Sequence, residues 1–151
     1  MRIILHIRGL DDAIKKAKLD ETRGARVKRN VLREAGFRTK RYAKMNIKSR
    51  YGGGSHSENL RGSIYMRTTK NFVSVTAGAS YAGYVEYGTK PSIKNYPRNV
   101  YIAGVGWRRM DMHPGAQGYP SQHFMTRAVV RVEKEFDDII KIQIKKVYGG
   151  K

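Results

Sequence analysis

Apolar Ile3, Leu5 and Ile7 alternate with Arg2, His6 and Arg8 at the start of the chain, Ile4 being the exception. Period-two patterning with β-branched residues predicts a half-buried strand, and Gly9 ends it. Leu10, Ile14 and Ala17 then share one helical face, with Asp11 or Asp12 placed to cap that helix. From Thr22 to Arg50 the period is helical again: Val27, Val31, Ala35, Tyr42 and Met45 form an apolar stripe in a densely basic segment. Gly24 and Gly36 each cost about 1 kcal/mol relative to alanine in a helix interior, so either position offers a break or kink. Residues 51–57 are glycine- and serine-rich and predict a flexible loop.

Beyond that loop the period returns to two. Ser63–Thr68 and Asn71–Ala77 read as antiparallel neighbours joined by a short hairpin. Tyr81–Tyr87 has strand chemistry, and fits either a third strand or a short helix leading into one, stopped by Gly88. Its single acid, Glu86, needs a partner, with Arg61 or another basic residue as the candidate and a surface ion pair on an edge strand as the plainer alternative. Residues 91–120 form the least regular stretch, a long loop with all four prolines and the only tryptophan, Trp107; Val100–Ala103 could be a short strand within it. A last helix opens after Ser121, a candidate cap. Phe124, Ala128, Val132, Phe136, Ile139 and Ile140 lie on one face and Glu133, Glu135, Asp137 and Asp138 on the outside. Residues 148–151 read as a frayed basic tail.

These elements add up to one α+β domain over residues 1–151: a small antiparallel sheet packed by a long N-terminal helix and a C-terminal helix, with long loops. No internal repeat is visible. Met1–Ile7 is too short an apolar run for a signal peptide, and no segment is apolar enough to expect a membrane span.

Charge changes the picture most. Lys and Arg number 31 against 12 acids, a net +19, which calls for an acidic partner: nucleic acid, an anionic surface or an acidic protein. Arg23, Arg26, Arg29, Arg33, Lys40, Arg41 and Lys44 are the candidate residues for DNA or an acidic surface, and Tyr42, Tyr51, Tyr65, Tyr96, Tyr101 and Trp107 are aromatics that could stack bases. Sequence-independent nucleic-acid binding through 23–50 is therefore one reading of the chain. Enzymatic chemistry has weaker support. Cysteine is absent, and the four histidines form no metal-ligand pair. His113 stands near Asp111 without a cluster around it, and Asp11, Asp12, Asp20 and Glu21 read as helix acids. No catalytic residue, metal or cofactor is expected.

Three stretches in order carry a sharper signal: Asn59-Leu60-Arg61-Gly62-Ser63-Ile64, then Tyr84-Val85-Glu86-Tyr87-Gly88-Thr89, then Gln122-His123-Phe124-Met125-Thr126-Arg127-Ala128. Together with the long basic helix before them, they resemble the tail-component family of long-tailed bacteriophages, described as head–tail joining, tail-completion or tail-terminator proteins. The resemblance runs from about Leu10 to Val147. The 91–120 loop is longer than that pattern, Pro120–His123 replaces a tighter proline-rich lead-in, and the chain is unusually basic.

The resemblance implies a non-enzymatic virion protein of the tail or neck, assembled in the host cytoplasm as a homo-oligomeric ring, with a hexamer favoured. It would join or terminate the tail tube and meet the connector or head-closure protein, with genomic DNA passing through the channel and no membrane involved. Tyr84, Glu86, Tyr87, Gly88, Thr89, Trp107 and Phe124 are then the candidate subunit or partner contacts.

Overall fold

Strand β1 (Arg2–Leu5) begins the chain, followed by helices α1 (Leu10–Lys16), α2 (Glu21–Asn46) and α3 (Gly54–Gly62). Strands β2 (Ile64–Thr68) and β3 (Val73–Ala77) come next, then helix α4 (Ala82–Tyr87) and strands β4 (Arg98–Ile102) and β5 (Gly106–Met110). Helices α5 (Phe124–Lys134) and α6 (Phe136–Tyr148) complete the order. The structure is a computed structural model that describes residues 1–5, 7, 9–18, 20–48, 54–88, 98–102, 106–110 and 120–148. The class is α+β, as the hydrophobic pattern predicts.

β1, β3 and β2 form one antiparallel sheet in that order, with Ile3 opposite Val75 and Met66 opposite the same residue from the other side. Alternation puts Ile3, Leu5, Ile64, Met66, Val73, Val75 and Ala77 on the face that packs against the helices. Ile4 and Tyr65 are on the other face, 44% and 55% exposed.

α2 is the spine of the molecule. It runs unbroken for 26 residues, about 39 Å at 1.5 Å per residue. Asp20 caps it, accepting from the Arg23 N–H at 2.7 Å. Neither glycine breaks it. A Cβ on Gly36 would stand 2.5 Å from Val73 Cγ2, and one on Gly24 2.9 Å from Ile14 Cγ2. The two glycines thus let the sheet and α1 approach the α2 backbone, and close packing offsets their poor helix propensity. Val27, Val31, Leu32, Ala35 and Ala43 fill the rest of the buried stripe. Met45 departs from it and is 62% exposed.

The core has two main parts threaded by α2. One gathers Ala43, Ile47, Leu60, Ile64, Val75, Val85, Phe124 and Met125 between the sheet, α3, α4 and the start of α5. The other gathers Leu10, Val27, Val31, Ala35, Val132 and Ile139 between α1, α2, α5 and α6. α5 is the neighbour with which α2 makes most contact.

Several local expectations need correction. Gly54–Ser57, expected in a flexible loop, form the first turn of α3, because Ser57 and Leu60 are three residues apart and both face inward. Of the two readings open for Tyr81–Tyr87, the short helix holds, over Ala82–Tyr87: Ala82, Val85 and Glu86 stand at i, i+3 and i+4 and share the buried face. The alternation of large side chains there satisfied both periods, and helical spacing prevails. α1 is capped by Gly9 in the left-handed region (φ 74°), with Asp11 and Asp12 inside the first turn instead of at the cap. Within the 91–120 stretch, β4 and β5 pair antiparallel as a separate two-stranded sheet, with Tyr101 opposite Trp107. The C-terminal helix is two helices, parted at Glu135, whose side chain turns inward instead of facing solvent. Residues 51–53, 89–97, 103–105, 111–119 and 149–151, and with them Thr89, much of the long loop and the end of the basic tail, lie outside the described residues.

Candidate functional site

Glu86 is fully buried, with 0% of its surface exposed. Its carboxylate meets the first turn of α5: Oε2 accepts from the Met125 N–H at 2.8 Å, and Oε1 from the Thr126 N–H at 2.9 Å and the Thr126 hydroxyl at 2.5 Å. The backbone continues the join, with the Gln122 N–H on the Val85 carbonyl at 2.9 Å and the His123 N–H on the Glu86 carbonyl at 3.1 Å. The partner of Glu86 is therefore a helix N-terminus and not a basic side chain. Free N–H groups and the positive end of the helix dipole together stabilise an anion there. The residue at the N-cap position, His123, is left-handed (φ 48°) and supplies no side-chain cap, and Ser121, expected as the cap, instead contacts the His123 ring at 2.9 Å. A carboxylate from 39 residues away in sequence takes that place.

Arg61 does the converse job. Its guanidinium donates to the Lys44 carbonyl at 3.2 Å and the Ile47 carbonyl at 2.5 Å, the unpaired end of α2. Asn46 Nδ2 donates to the Phe124 carbonyl at 3.1 Å, and Gln122 Oε1 accepts from the Lys48 N–H at 3.0 Å. The C-terminus of α2, the N-terminus of α5, α3 and α4 thus meet at one hydrogen-bonded junction. Among the described residues, no buried side-chain nitrogen or oxygen lacks a partner.

A second polar cluster holds α2 to the α5–α6 break. Arg38 donates to Glu34 and Glu135, each at 2.8 Å, and the Tyr42 hydroxyl donates to Glu135 at 2.9 Å. Arg131 lies over the Tyr42 ring, 4.0 Å from its centroid. Hydrogen bonds to Glu34 and then Glu135 raise the Arg38 guanidinium above its ordinary value. The bond from Arg38 holds the Glu135 carboxyl below its ordinary value, although desolvation opposes this.

The candidate contact residues separate cleanly. Tyr84 and Tyr87, three apart on α4, are 64% and 68% exposed on the face opposite Glu86. Gly88 ends α4 in a positive-φ conformation (77°). Phe124, expected at a contact, is fully buried and belongs to the core, as does Glu86. Thr89 and the Trp107 side chain lie outside the described residues. Of the basic candidates, Arg23, Arg26, Arg29, Arg33 and Arg41 are exposed, and Lys40 and Lys44 half-exposed, along the outer side of α2. Arg23 pairs with Asp20 at 3.4 Å. Among the described residues, no three of His, Asp and Glu converge as metal ligands, and no helix is long and apolar enough to cross a membrane.

A family model described as "Bacteriophage HK97-gp10, putative tail-component" matches residues 10–88, just over half of the 151-residue chain. The chain belongs to this HK97-gp10-like family of phage tail components. The family segment runs from the first residue of α1 to the glycine that ends α4, so it includes Arg61, Glu86 and the exposed tyrosines. The turn of α5 that Glu86 caps lies beyond it, as does β1. No curated protein and no solved structure matches the chain.

Two variants test these polar joins. Glu86→Gln keeps the size but removes the charge and turns one acceptor into a donor facing an N–H. It is expected to lower stability by about 1–3 kcal/mol in urea unfolding, and an unchanged midpoint would contradict the capping role. For Glu135, a carboxyl held low in the folded state adds stability that is complete above its ordinary value of 4.5 and fades as pH falls through the lower, folded value. The stability gap between the native chain and Glu135→Gln is therefore widest near neutral pH and closes under acid. A gap that does not vary with pH would refute this.

Proposed function

We propose that this tail component is a structural, non-enzymatic protein of the virion neck, assembling as a closed ring that joins or terminates the tail tube and connects it to the head connector. A hexamer is the favoured ring. The observation that carries the reading is the family match ending at α4, together with Tyr84 and Tyr87 standing more than half exposed on that helix. Tyrosine offers large contact area at low entropic cost and is enriched in interfaces. Here two of them project from a helix whose other side is locked to α5 through Glu86. Such a pair is positioned before any partner arrives, which lowers the ordering cost of association.

Ring closure needs heterologous contacts, in which one patch of each subunit meets a different patch of the next. The tyrosine face of α4 is one such patch. The net +19 opposes assembly of bare copies, so ring formation is expected to strengthen with salt or with the acidic neighbours it meets in the particle.

The mass of the purified protein across salt concentrations, alone and with its connector and tube proteins, tests the reading. The account expects a discrete ring near six times the 17.2 kDa monomer. It expects the Tyr84→Ser/Tyr87→Ser variant to stay monomeric with an unchanged melting temperature. A native chain that remains monomeric with every partner would overturn it.

A further inference from the structure

The outer side of α2 is more than a solvated basic face. Arg26, Arg29, Arg33, Lys40 and Lys44 follow one another at spacings of three, four and seven residues and so share a stripe. The nearest acid in sequence, Glu34, is held aside by Arg38 at 2.8 Å. Set among these cations are Phe37 and Met45, 48% and 62% exposed. With Lys40, Arg41 and Lys44 they line a shallow groove of about 360 Å³. Arg33 stands over Phe37 with its guanidinium carbon 5.6 Å from the ring centroid.

We infer that this groove docks an acidic, amphipathic segment of another protein. A phosphate backbone would gain from the cations but nothing from an apolar floor. Apolar anchors flanked by carboxylates gain from both. Phe37 and Met45 are eight residues apart, about 12 Å along the helix axis, the reach of apolar side chains two turns apart on a partner helix. A second copy is a poor occupant. Among the described residues its exposed acids are mixed with cations: Asp11 pairs with Lys28 and Asp20 with Arg23, while Glu133, Asp137 and Asp138 are interleaved with exposed Lys134 and Lys141, so they offer no unbroken negative face. The inference rests on the neck reading only for where such a partner would be found, namely among the proteins that border the ring.

The test uses the full-length protein and three labelled probes of equal charge, followed by fluorescence anisotropy. One is a synthetic helical peptide with leucines on one face and glutamates on both flanks; the second is a glutamate-only peptide; the third is a short DNA duplex. The amphipathic peptide is expected to bind tightest. Phe37→Ser/Met45→Ser should weaken it by about tenfold or more and leave the other two probes within about twofold. Both positions are on the surface, so the variant is expected to keep its fold, which circular dichroism checks. DNA binding tightest, three probes binding alike, or an amphipathic probe indifferent to the double variant would each overturn the inference. Ring formation, read by mass in the same variant, does not involve this groove, so the two proposals fail separately.

Discussion

A buried carboxylate is costly unless both its oxygens find donors. Glu86 meets that condition by sitting where donors are already unpaired, at the first turn of α5. The join fixes α4 against α5, and α5 is the main neighbour of α2. Replacing one carboxylate oxygen by an amide NH2 leaves a first-turn donor of α5 without an acceptor, beside the core residues Phe124 and Val85. The position of the exposed tyrosines and the start of the C-terminal helices both depend on this one contact.

Arg61 is its electrostatic mirror. An anion caps the positive end of one helix and a cation caps the negative end of another, at neighbouring corners of the same junction. In sequence the two suggest a salt bridge, because a lone acid among apolar and aromatic residues calls for a cation and Arg61 is a candidate. In the fold each is paired with backbone instead, which leaves neither dependent on the other. The glycines of α2 act on a different scale: by omitting a Cβ where Val73 and Ile14 approach, they let a single helix carry both halves of the core.

Much of this was legible in the sequence. Period-two runs gave the β2–β3 hairpin and β1, and the apolar stripe gave α2 nearly to its ends. The resemblance to the family also stood out, because Arg61, Glu86 and Gly88 lie in motifs whose order is visible without a structure. What stayed hidden has physical causes. Tyr81–Tyr87 carries large side chains at spacings that suit either period, so only the choice of what is buried decides it. The partner of Glu86 is hidden in the sequence because Ser121 offers a local cap for α5, and nothing in the chain marks an acceptor that arrives from 39 residues away. A left-handed residue at the cap, His123, would have been the one clue, and φ is not written in sequence. Phe124 sat in a motif and was therefore read as a contact, although its size and apolarity favour the core position it occupies. Glu135 looked like one more surface acid in a charged run, and only the proximity of Arg38 and Tyr42 draws it inward.

In this chain the acid of the Val-Glu-Tyr-Gly block has a structural task, while Tyr84 and Tyr87 beside it stand exposed. Amide hydrogen exchange at Met125 and Thr126, measured residue by residue in the native chain and in Glu86→Gln, tests that assignment most directly. First-turn amides of a helix ordinarily exchange fast, because they have no intrahelical acceptor. The account predicts strong protection at these two amides in the native chain, lost selectively in the variant while the middle of α5 stays protected. Fast exchange at both positions in the native chain, or protection untouched by the substitution, would contradict it.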